Sequence, residues 1–193
     1  MRSLAAFEQL TLDGFFSGEN GDFSWTHSRE RQDQEWTSFA AENASGGGIL
    51  LFGRVTFEIM AGYWPTPRAG QDNAIVAEHM NRMPKIVFSR TLDSVAWSNT
   101  RIVKSDPAAE VRRLKKEPGP NMAILGSGTI VSLLAREGLI DEYQLAVLPV
   151  VIGKGRTLFE GVHDRLPMKL TRTRSFKNGN VVSWYAPAAA RAA

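Results

Sequence analysis

Short apolar runs alternate with stretches of helical periodicity along the first two thirds of the chain. Four apolar runs predict buried strands, at residues 2–12, 49–52, 85–88 and 122–125. Two shorter segments, 95–97 and 101–103, are also predicted as strands. Helical patterns occupy residues 28–43, 54–62, 71–81, 106–116 and 129–137. Strands that alternate with helices of this length are typical of a mostly parallel sheet with helices packed on it.

The last third of the chain changes character. Strand patterns occur at 141–148, 168–176 and 180–185, and Lys177-Asn178-Gly179 is a hairpin turn signal between the last two. We therefore predict an α/β fold whose mostly parallel sheet carries an antiparallel hairpin at its C-terminal edge. One domain is expected over residues 1–186. The alanine-rich segment 187–193 is expected to be a disordered tail.

Composition excludes several classes of site. The 193 residues contain no cysteine, so disulfides, thiolate zinc sites and a cysteine nucleophile are excluded. The three histidines are far apart in sequence, and no metal site is expected. The N-terminal apolar run is too short for a signal peptide and is interrupted by Glu8. No stretch approaches the length of a membrane span, so we expect a cytoplasmic protein without a membrane partner.

Charge is distributed unevenly. The chain carries a net charge of +3, with more acidic than basic residues before residue 100 and the reverse after it. A basic half can attract an anionic ligand or nucleic acid, which makes a nucleic-acid binder one alternative function. However, the basic residues alternate with acidic ones and lack the aromatic spacing of a nucleic-acid platform. We therefore expect no nucleic-acid partner.

Three strand ends carry residues suited to binding phosphate. The first buried strand-to-helix junction is Gly53-Arg54-Val55-Thr56, and the second is Gly126-Ser127-Gly128-Thr129. A helix N-terminus exposes unpaired N–H groups and a partial positive charge, both of which favour an anion. Ser89-Arg90 adds a hydroxyl and a guanidinium at a third strand end. Each turn also has a purely structural interpretation, as a tight turn, a capped helix or a surface turn.

Neither glycine turn matches a standard nucleotide-binding motif. Val131 stands where the dinucleotide fingerprint GxGxxG has its third glycine, and no Gly-Lys-Ser/Thr follows as in a Walker loop. Residues 14–28 form a long predicted loop that is rich in Gly, Asp, Asn and Ser. Because this loop also carries Phe15, Phe16, Phe23 and Trp25, we expect it to pack against the domain.

An ordered series of motifs carries a family resemblance. The series is Leu12-Asp13-Gly14, Phe52-Gly53-Arg54-Val55-Thr56-Phe57-Glu58, Val87-Phe88-Ser89-Arg90, Ile124-Leu125-Gly126-Ser127-Gly128, Leu139-Ile140-Asp141-Glu142-Tyr143 and Leu148-Pro149-Val150-Val151-Ile152-Gly153-Lys154-Gly155-Arg156-Thr157-Leu158-Phe159. Over residues 3–185 it resembles the dihydrofolate reductase superfamily, most closely the branch of the C-terminal reductase domain (RibD) of bacterial riboflavin biosynthesis. The resemblance implies a three-layer αβα fold with about eight strands, a homodimer and NADPH as cofactor.

The resemblance also implies roles for individual residues. The cofactor phosphates, ribose and nicotinamide would lie against Gly53, Arg54, Val55, Thr56, Ser89, Arg90, Gly126, Ser127, Gly128, Thr129 and Ile130. Within that set, Ser89 and Arg90 match the residues beside the adenosine 2′-phosphate. Asp13 and Gly18 match a mobile loop next to the nicotinamide, and Trp25 matches the tryptophan of that loop. The substrate is expected against Phe16, Trp25 and Trp64.

The source of the proton is the least defined part of this interpretation. Dihydrofolate reductase anchors its substrate with one carboxylate on the first helix, and no acid of this chain is securely matched to it. Asp13, Glu30 and Asp33 are the candidates. Two functions therefore remain: an NADPH-dependent reductase of a small heterocyclic or ribosyl-type substrate, or a nucleotide-binding sensor that does not turn over.

Overall fold

An eight-stranded sheet forms the centre of the protein. A computed structural model describes residues 1–27, 34–46 and 48–188. Its strands are β1 (Leu4–Thr11), β2 (Phe15–Ser17), β3 (Ile49–Gly53), β4 (Lys85–Phe88), β5 (Thr100–Val103), β6 (Met122–Leu125), β7 (Glu142–Leu148), β8 (Arg156–Thr157), β9 (Met168–Ser175) and β10 (Val181–Pro187). Its α-helices are α1 (Gln34–Ser45), α2 (Arg54–Tyr63), α3 (Pro67–Asp72), α4 (Ala74–Arg82), α5 (Pro107–Lys116) and α6 (Gly128–Arg136).

The order of the strands confirms the predicted fold class. The main sheet runs β5-β4-β3-β6-β1-β7-β10-β9, and β2 pairs separately with β8. The six strands from β5 to β7 are parallel. β10 pairs antiparallel with both β7 and β9, which is the C-terminal hairpin expected from Lys177-Asn178-Gly179.

Helices cover both faces of the sheet. On one face, Phe57 of α2 and Met80 of α4 pack against Phe52 of β3. Phe39 of α1 packs on the same side against Trp184 of β10. On the other face, α5 and α6 bury apolar side chains against β1, β3 and β6. Right-handed crossovers place the helices in this way, because the chain moves first towards β5 and later back towards β7.

Three element predictions were wrong. Residues 14–28 are not a loop throughout, because Phe15–Ser17 form β2 and pair with β8. The segment 71–81 forms parts of two helices, since the Asn73 side chain accepts a hydrogen bond from the Val76 amide (3.1 Å) and starts a new helix there. Residues 95–97 are not a strand; the Trp97 indole is buried and donates to Asn81 (2.7 Å).

The start of the predicted helix 28–43 and part of the predicted tail 187–193 lie outside the described residues, and the first residues of the tail are ordered differently from the prediction. The predicted helix start at 28–33 lies outside the described residues. Of the predicted tail, Pro187 belongs to β10 and the Ala188 amide donates to Pro167 (2.8 Å). Residues 189–193 lie outside the description, so the disordered tail stays a prediction, as does the single domain over 1–186.

Lys85 is a buried cation at the amino edge of the sheet, where β4 begins. Its side chain is 1% exposed. The ammonium donates to the carbonyl oxygens of Met83 (2.7 Å), Asn81 (3.2 Å) and Ser98 (3.3 Å), and it lies 4.4 Å from the centroid of the Trp97 ring. Each N–H of the ammonium therefore has an acceptor, so this buried charge joins the C-terminal end of α4 to the segment before β5 at that edge.

Candidate functional site

The three predicted phosphate-binding turns lie at one edge of the sheet. Gly53 at the end of β3 is beside Phe88 at the end of β4, and Leu125 at the end of β6 is beside Phe7 of β1. The turns at 53–56, 89–90 and 126–130 leave from these neighbouring ends. Adjacent strands lie about 4.8 Å apart. The structure therefore brings together the three turns that are far apart in sequence.

This edge contains a topological switch point. β6 and β1 are neighbours, but the chain leaves β1 towards α1 on one face and leaves β6 towards α6 on the other. Connections that diverge to opposite faces leave a crevice beyond the carboxyl ends of the strands. In open α/β sheets this crevice is where ligands bind.

The helices that start at the crevice lack the side-chain caps that other helices have. Thr66, Asn73 and Asp106 cap α3, α4 and α5 by accepting hydrogen bonds from first-turn amides. Gly53 before α2 and Ser127 before α6 make no such bond. The first-turn N–H groups of α2 and α6 therefore keep donors for an external anion.

Two hydrogen bonds join these helix starts. The Gly53 amide donates to the Ser127 hydroxyl (3.0 Å), and the Thr56 hydroxyl donates to the Gly126 carbonyl (2.8 Å). Gly126 has φ +66°, a conformation that favours glycine. The Ser127 hydroxyl thus links two helices instead of capping its own, so that the two N-termini form one fixed unit.

Phe16 packs over the start of α6. A Cβ built on Gly128 would lie 2.6 to 2.8 Å from the Phe16 ring, so only glycine allows this contact. Phe16 is 6% exposed and contacts the Phe23 ring (6.3 Å between centroids). The Arg156 guanidinium lies 5.6 Å from the Phe16 ring centroid. A ligand that contacts Gly128 directly has to displace this ring.

Phe16 belongs to a lid, which consists of β2 (Phe15–Ser17), β8 (Arg156–Thr157) and the loops next to them. β2 pairs with β8, and the Gly155 backbone passes so close to Ser17 that a Cβ at Gly155 would overlap the Ser17 carbonyl. The Asp13 carboxylate accepts hydrogen bonds from the amides of Ile152 (3.2 Å) and Gly153 (2.7 Å). The lid borders an open cleft of about 430 Å³ lined by Gly18, Glu19, Asn20, Lys154, Gly155 and Arg156.

The predicted catalytic residue Asp13 stays ionised in this arrangement. Hydrogen bonding from the Thr11 side chain, and then from the Gly153 amide, lowers the pKa of Asp13 below its ordinary value. Its carboxylate holds the lid loops together. The other two catalytic candidates, Glu30 and Asp33, lie outside the described residues.

The cationic residues of the site differ in their contacts. Arg54 pairs with Glu58 one turn later on α2, with Nη1 2.8 Å from the carboxylate. Arg90 is exposed and forms no ion pair with a described residue. The Ser89 hydroxyl accepts from the amides of Thr91 and Leu92 and shapes the turn that carries Arg90. Arg90 is thus free to contact a ligand, whereas Arg54 has to leave Glu58.

The remaining predicted cofactor residues lie on the first turns of the two helices. Val55 is 54% exposed and Thr129 is exposed, so both could meet a ligand. Ile130 is buried, and its side chain lies 3.3 Å from where a Cβ on Gly53 would be. Ile130 therefore packs against the Gly53 backbone.

The two predicted tryptophans lie in different clusters of the core. Trp25 is buried between α1 and β10, and its indole nitrogen has no hydrogen-bond partner among the described residues. Trp64 lies at the C-terminal end of α2, where its carbonyl accepts from Asn81 (2.9 Å). Since α2 is about 15 Å long and runs back along the sheet, the Trp64 backbone lies towards the opposite edge, whereas its indole donates to the Met60 sulfur (3.1 Å). Contact of Trp64 with a substrate stays a prediction.

Glu8 is a buried carboxyl group at the crevice that the sequence interpretation did not select. It is 1% exposed, and its Oε1 has no hydrogen-bond partner among the described residues. Burial raises the pKa of Glu8 to about 8, and the Ser127 backbone amide opposes this shift. The period of two along β1 was the available signal, because Leu4 and Ala6 occupy the same face and both are fully buried.

Comparison with known proteins identifies the family. Residues 2–182 match the family described as the RibD C-terminal domain. The chain belongs to the RibD C-terminal domain family. Two Bacillus subtilis (strain 168) relatives are both named only as uncharacterized proteins: YyaP is 30% identical over 89% of this chain and 88% of its own length, and YwjB is 25% identical over 91% and 92%.

Solved structures share the fold of this RibD-family chain. A Shewanella sp. PV-4 protein named after riboflavin biosynthesis matches with a TM-score of 0.72 and 20% identity, over 96% of this chain and 99% of its own. The Thermotoga maritima diaminohydroxyphosphoribosylaminopyrimidine deaminase/5-amino-6-(5-phosphoribosylamino)uracil reductase matches with a TM-score of 0.63 and 16% identity, over 97% and 57%.

The described part of the chain contains neither a membrane-spanning helix nor a cluster of metal-binding side chains. Within it, no helix combines the length and the apolar content needed to cross a lipid bilayer. Within the same ranges, no three His, Asp or Glu side chains lie close enough together to bind a metal ion.

Proposed function

We propose that this protein is an NADPH-dependent reductase that transfers hydride to a small heterocyclic or ribosyl-type substrate. The proposed reaction is related to the 5-amino-6-(5-phosphoribosylamino)uracil reductase activity that is named for the Thermotoga maritima protein. The observation that carries it is the pair of uncapped helix N-termini joined by the Gly53–Ser127 hydrogen bond, in a reductase-like family. A bound pyrophosphate would use first-turn N–H groups of both helices.

The residues of the crevice suit different parts of the dinucleotide. Backbone amides at the starts of α2 and α6 would hold the pyrophosphate, and Arg90 would pair with the adenosine 2′-phosphate. The lid that carries Phe16 would exclude water from the reacting groups. The bound cofactor would supply the hydride, and the protein holds the substrate in position. Asp13, Glu30 and Asp33 stay predictions for the catalytic role.

One observation favours the alternative, a nucleotide-binding sensor without turnover. Asp13 is the described member of the predicted catalytic set, and its carboxylate already accepts hydrogen bonds from the amides of Ile152 (3.2 Å) and Gly153 (2.7 Å), which gives it a structural role. Titration with NADPH, followed by measurement of NADPH absorbance with a panel of ketones, imines and quinones, separates the two functions. Oxidation supports the reductase, and tight binding without oxidation supports the sensor.

Replacing Arg90 with alanine should reduce affinity for NADPH by about 10-fold to 100-fold, because one charge-assisted contact is worth about 1.5–3 kcal/mol. Affinity for NADH should change by less than about threefold, since NADH lacks the 2′-phosphate. Fluorescence titration of both cofactors measures the difference. Arg68→Ala, a change at an exposed arginine of α3, is the matched control. Equal losses for both cofactors would contradict this placement of Arg90.

The proposals on partners and location rest on the family resemblance. They are a small-molecule substrate, no nucleic-acid or membrane partner, a homodimer and a cytoplasmic location. Leu170 on the edge strand β9 is 52% exposed, which is compatible with a subunit contact there. Light scattering coupled to size-exclusion chromatography tests the dimer, and a monomer at all concentrations would contradict it.

A further inference from the structure

One carboxyl oxygen of Glu8 has no hydrogen bond from the described part of the chain to compensate for its burial. The side chain shares its face of β1 with Ala6 and Leu10, and its lateral neighbour on β7 is Leu145. Oε1 accepts no hydrogen bond from a described residue. Moving an unpaired carboxylate out of water costs several kcal/mol, so the neutral form is favoured. A residue that breaks a packing rule without a compensating contact points to a functional use.

The position of Glu8 relative to α6 indicates what that use is. The Ser127 amide, at the N-terminus of α6, stabilises the carboxylate form of Glu8. An ionised Glu8 would therefore be an internal anion at the same helix N-terminus that the phosphates would use. Two anions at one helix start repel each other and share the same N–H donors.

We propose that Glu8 is a proton-binding residue of the nucleotide site, which is protonated when phosphate is bound at the start of α6 and competes with that phosphate once it ionises. The inference rests on the proposed function, because it deepens the assignment of the crevice to a phosphate ligand. The proton balance is simple: binding of the anion to the ionised form takes up one proton from water, and release of the anion returns it.

Few other charged groups face this position. Tyr143, two residues before the β7 partner of Glu8, has a pKa raised to about 12 by burial, so it stays neutral. From the lid, Arg156 reaches the Phe16 ring but is paired with Glu160 (2.9 Å). On α6 the residues from Gly128 to Ala135 carry no charge. Glu8 is therefore the group on these elements that titrates between neutral and mildly alkaline pH.

Calorimetric titration with NADP⁺ between about pH 7 and about pH 9.5 tests the proposal. The dissociation constant of the wild-type protein should rise by about tenfold per pH unit above about pH 8, because one proton is linked to binding. The Glu8→Gln variant cannot ionise, so its dissociation constant should not rise in this way. Glu78→Gln, at an exposed carboxylate on α4, should follow the wild type. Titrations in buffers of different ionisation enthalpy should show proton uptake only where Glu8 is present.

Sulfate, which does not titrate in this range, separates failure of this inference from failure of the proposed function. If sulfate binding shows Glu8-dependent proton uptake but NADP⁺ does not bind, the reductase proposal fails and the role of Glu8 stands. If NADP⁺ binds with the same pH dependence in wild type and Glu8→Gln, the role of Glu8 is overturned alone. If neither anion binds, both are overturned. Should Glu8→Gln fail to fold by circular dichroism, absence of proton uptake by the wild type decides against the inference.

Discussion

Replacing Glu8 with glutamine is expected to raise the free energy of unfolding by about 3 kcal/mol at pH 7 and by up to about 5 kcal/mol above about pH 8. Burial raises the pKa of Glu8 from 4.5 to about 8. Between these values the folded protein holds a proton that the unfolded chain has released. The stability of the wild type therefore falls as the pH rises through this window, and glutamine removes that loss.

Urea denaturation of both proteins at about pH 5, about pH 7 and about pH 8.5 measures the effect. The two curves should nearly coincide at the lowest pH and separate as the pH rises. Other titrating groups are common to both proteins and cancel in the difference. The Glu78→Gln variant, whose carboxylate is exposed on α4, should run parallel to the wild type. A constant difference between wild type and Glu8→Gln at all three pH values would contradict the buried, neutral Glu8.

Replacing Lys85 with methionine is expected to lower the free energy of unfolding by about 2–4 kcal/mol at pH 7, because a buried, hydrogen-bonded charge leaves unpaired groups when it is removed. Methionine keeps most of the aliphatic volume but removes the Lys85 donor from the Met83 carbonyl, while the carbonyls of Asn81 and Ser98 keep longer bonds from Asn99 (3.3 Å) and Thr100 (3.4 Å). Burial lowers the pKa of Lys85 to about 8, so the group is still charged at pH 7.

Thermal or urea unfolding of Lys85→Met at pH 7 checks this expectation. Lys104→Met is the matched control, since Lys104 is half exposed and its ion pair with Asp93 is at the surface. That control should change stability by less than about 1 kcal/mol. An equal, small effect for both lysines would contradict the interpretation of Lys85 as a structural cation.

The two substitutions are expected to change the free energy of unfolding in opposite directions, because the two buried groups differ in their hydrogen bonds. Lys85 and Glu8 are each 1% exposed. The lysine has three acceptors, whereas one oxygen of the glutamate has no partner among the described residues. Burial disfavours both charged forms, since it lowers the pKa of Lys85 and raises that of Glu8, but carbonyl acceptors offset the cost for the lysine. A buried acid that costs stability at the edge of a crevice is accounted for by a role in binding.

The sequence predicted the turns of the site because their signals are local. An apolar run that stops at Gly53 or Gly126 and is followed by helical periodicity predicts a strand end and a helix start. Parallel strands then bring such ends to one edge. The bond between the Gly53 amide and the Ser127 hydroxyl depends on strand order, since β3 and β6 become neighbours only in the sheet.

Other features depended on tertiary structure. Trp64 follows a predicted helix, but its distance from the crevice depends on the direction in which α2 runs along the sheet. Glu8 looks like a polar interruption of a strand until α6 is known to cover it. Phe16 was predicted to pack against the domain, but its contact with Gly128 requires the folded lid.

We propose that separate turns at the carboxyl edge of one sheet converge on one pyridine nucleotide. Titration of isotope-labelled protein with NADP⁺, followed by amide chemical shifts, tests it most directly. We predict that amides of residues 53–56, 89–90 and 126–130 shift together with one dissociation constant, while Trp64 at the opposite edge does not. Shifts confined to one turn, different constants for the turns, or no shifts in these segments would contradict the account.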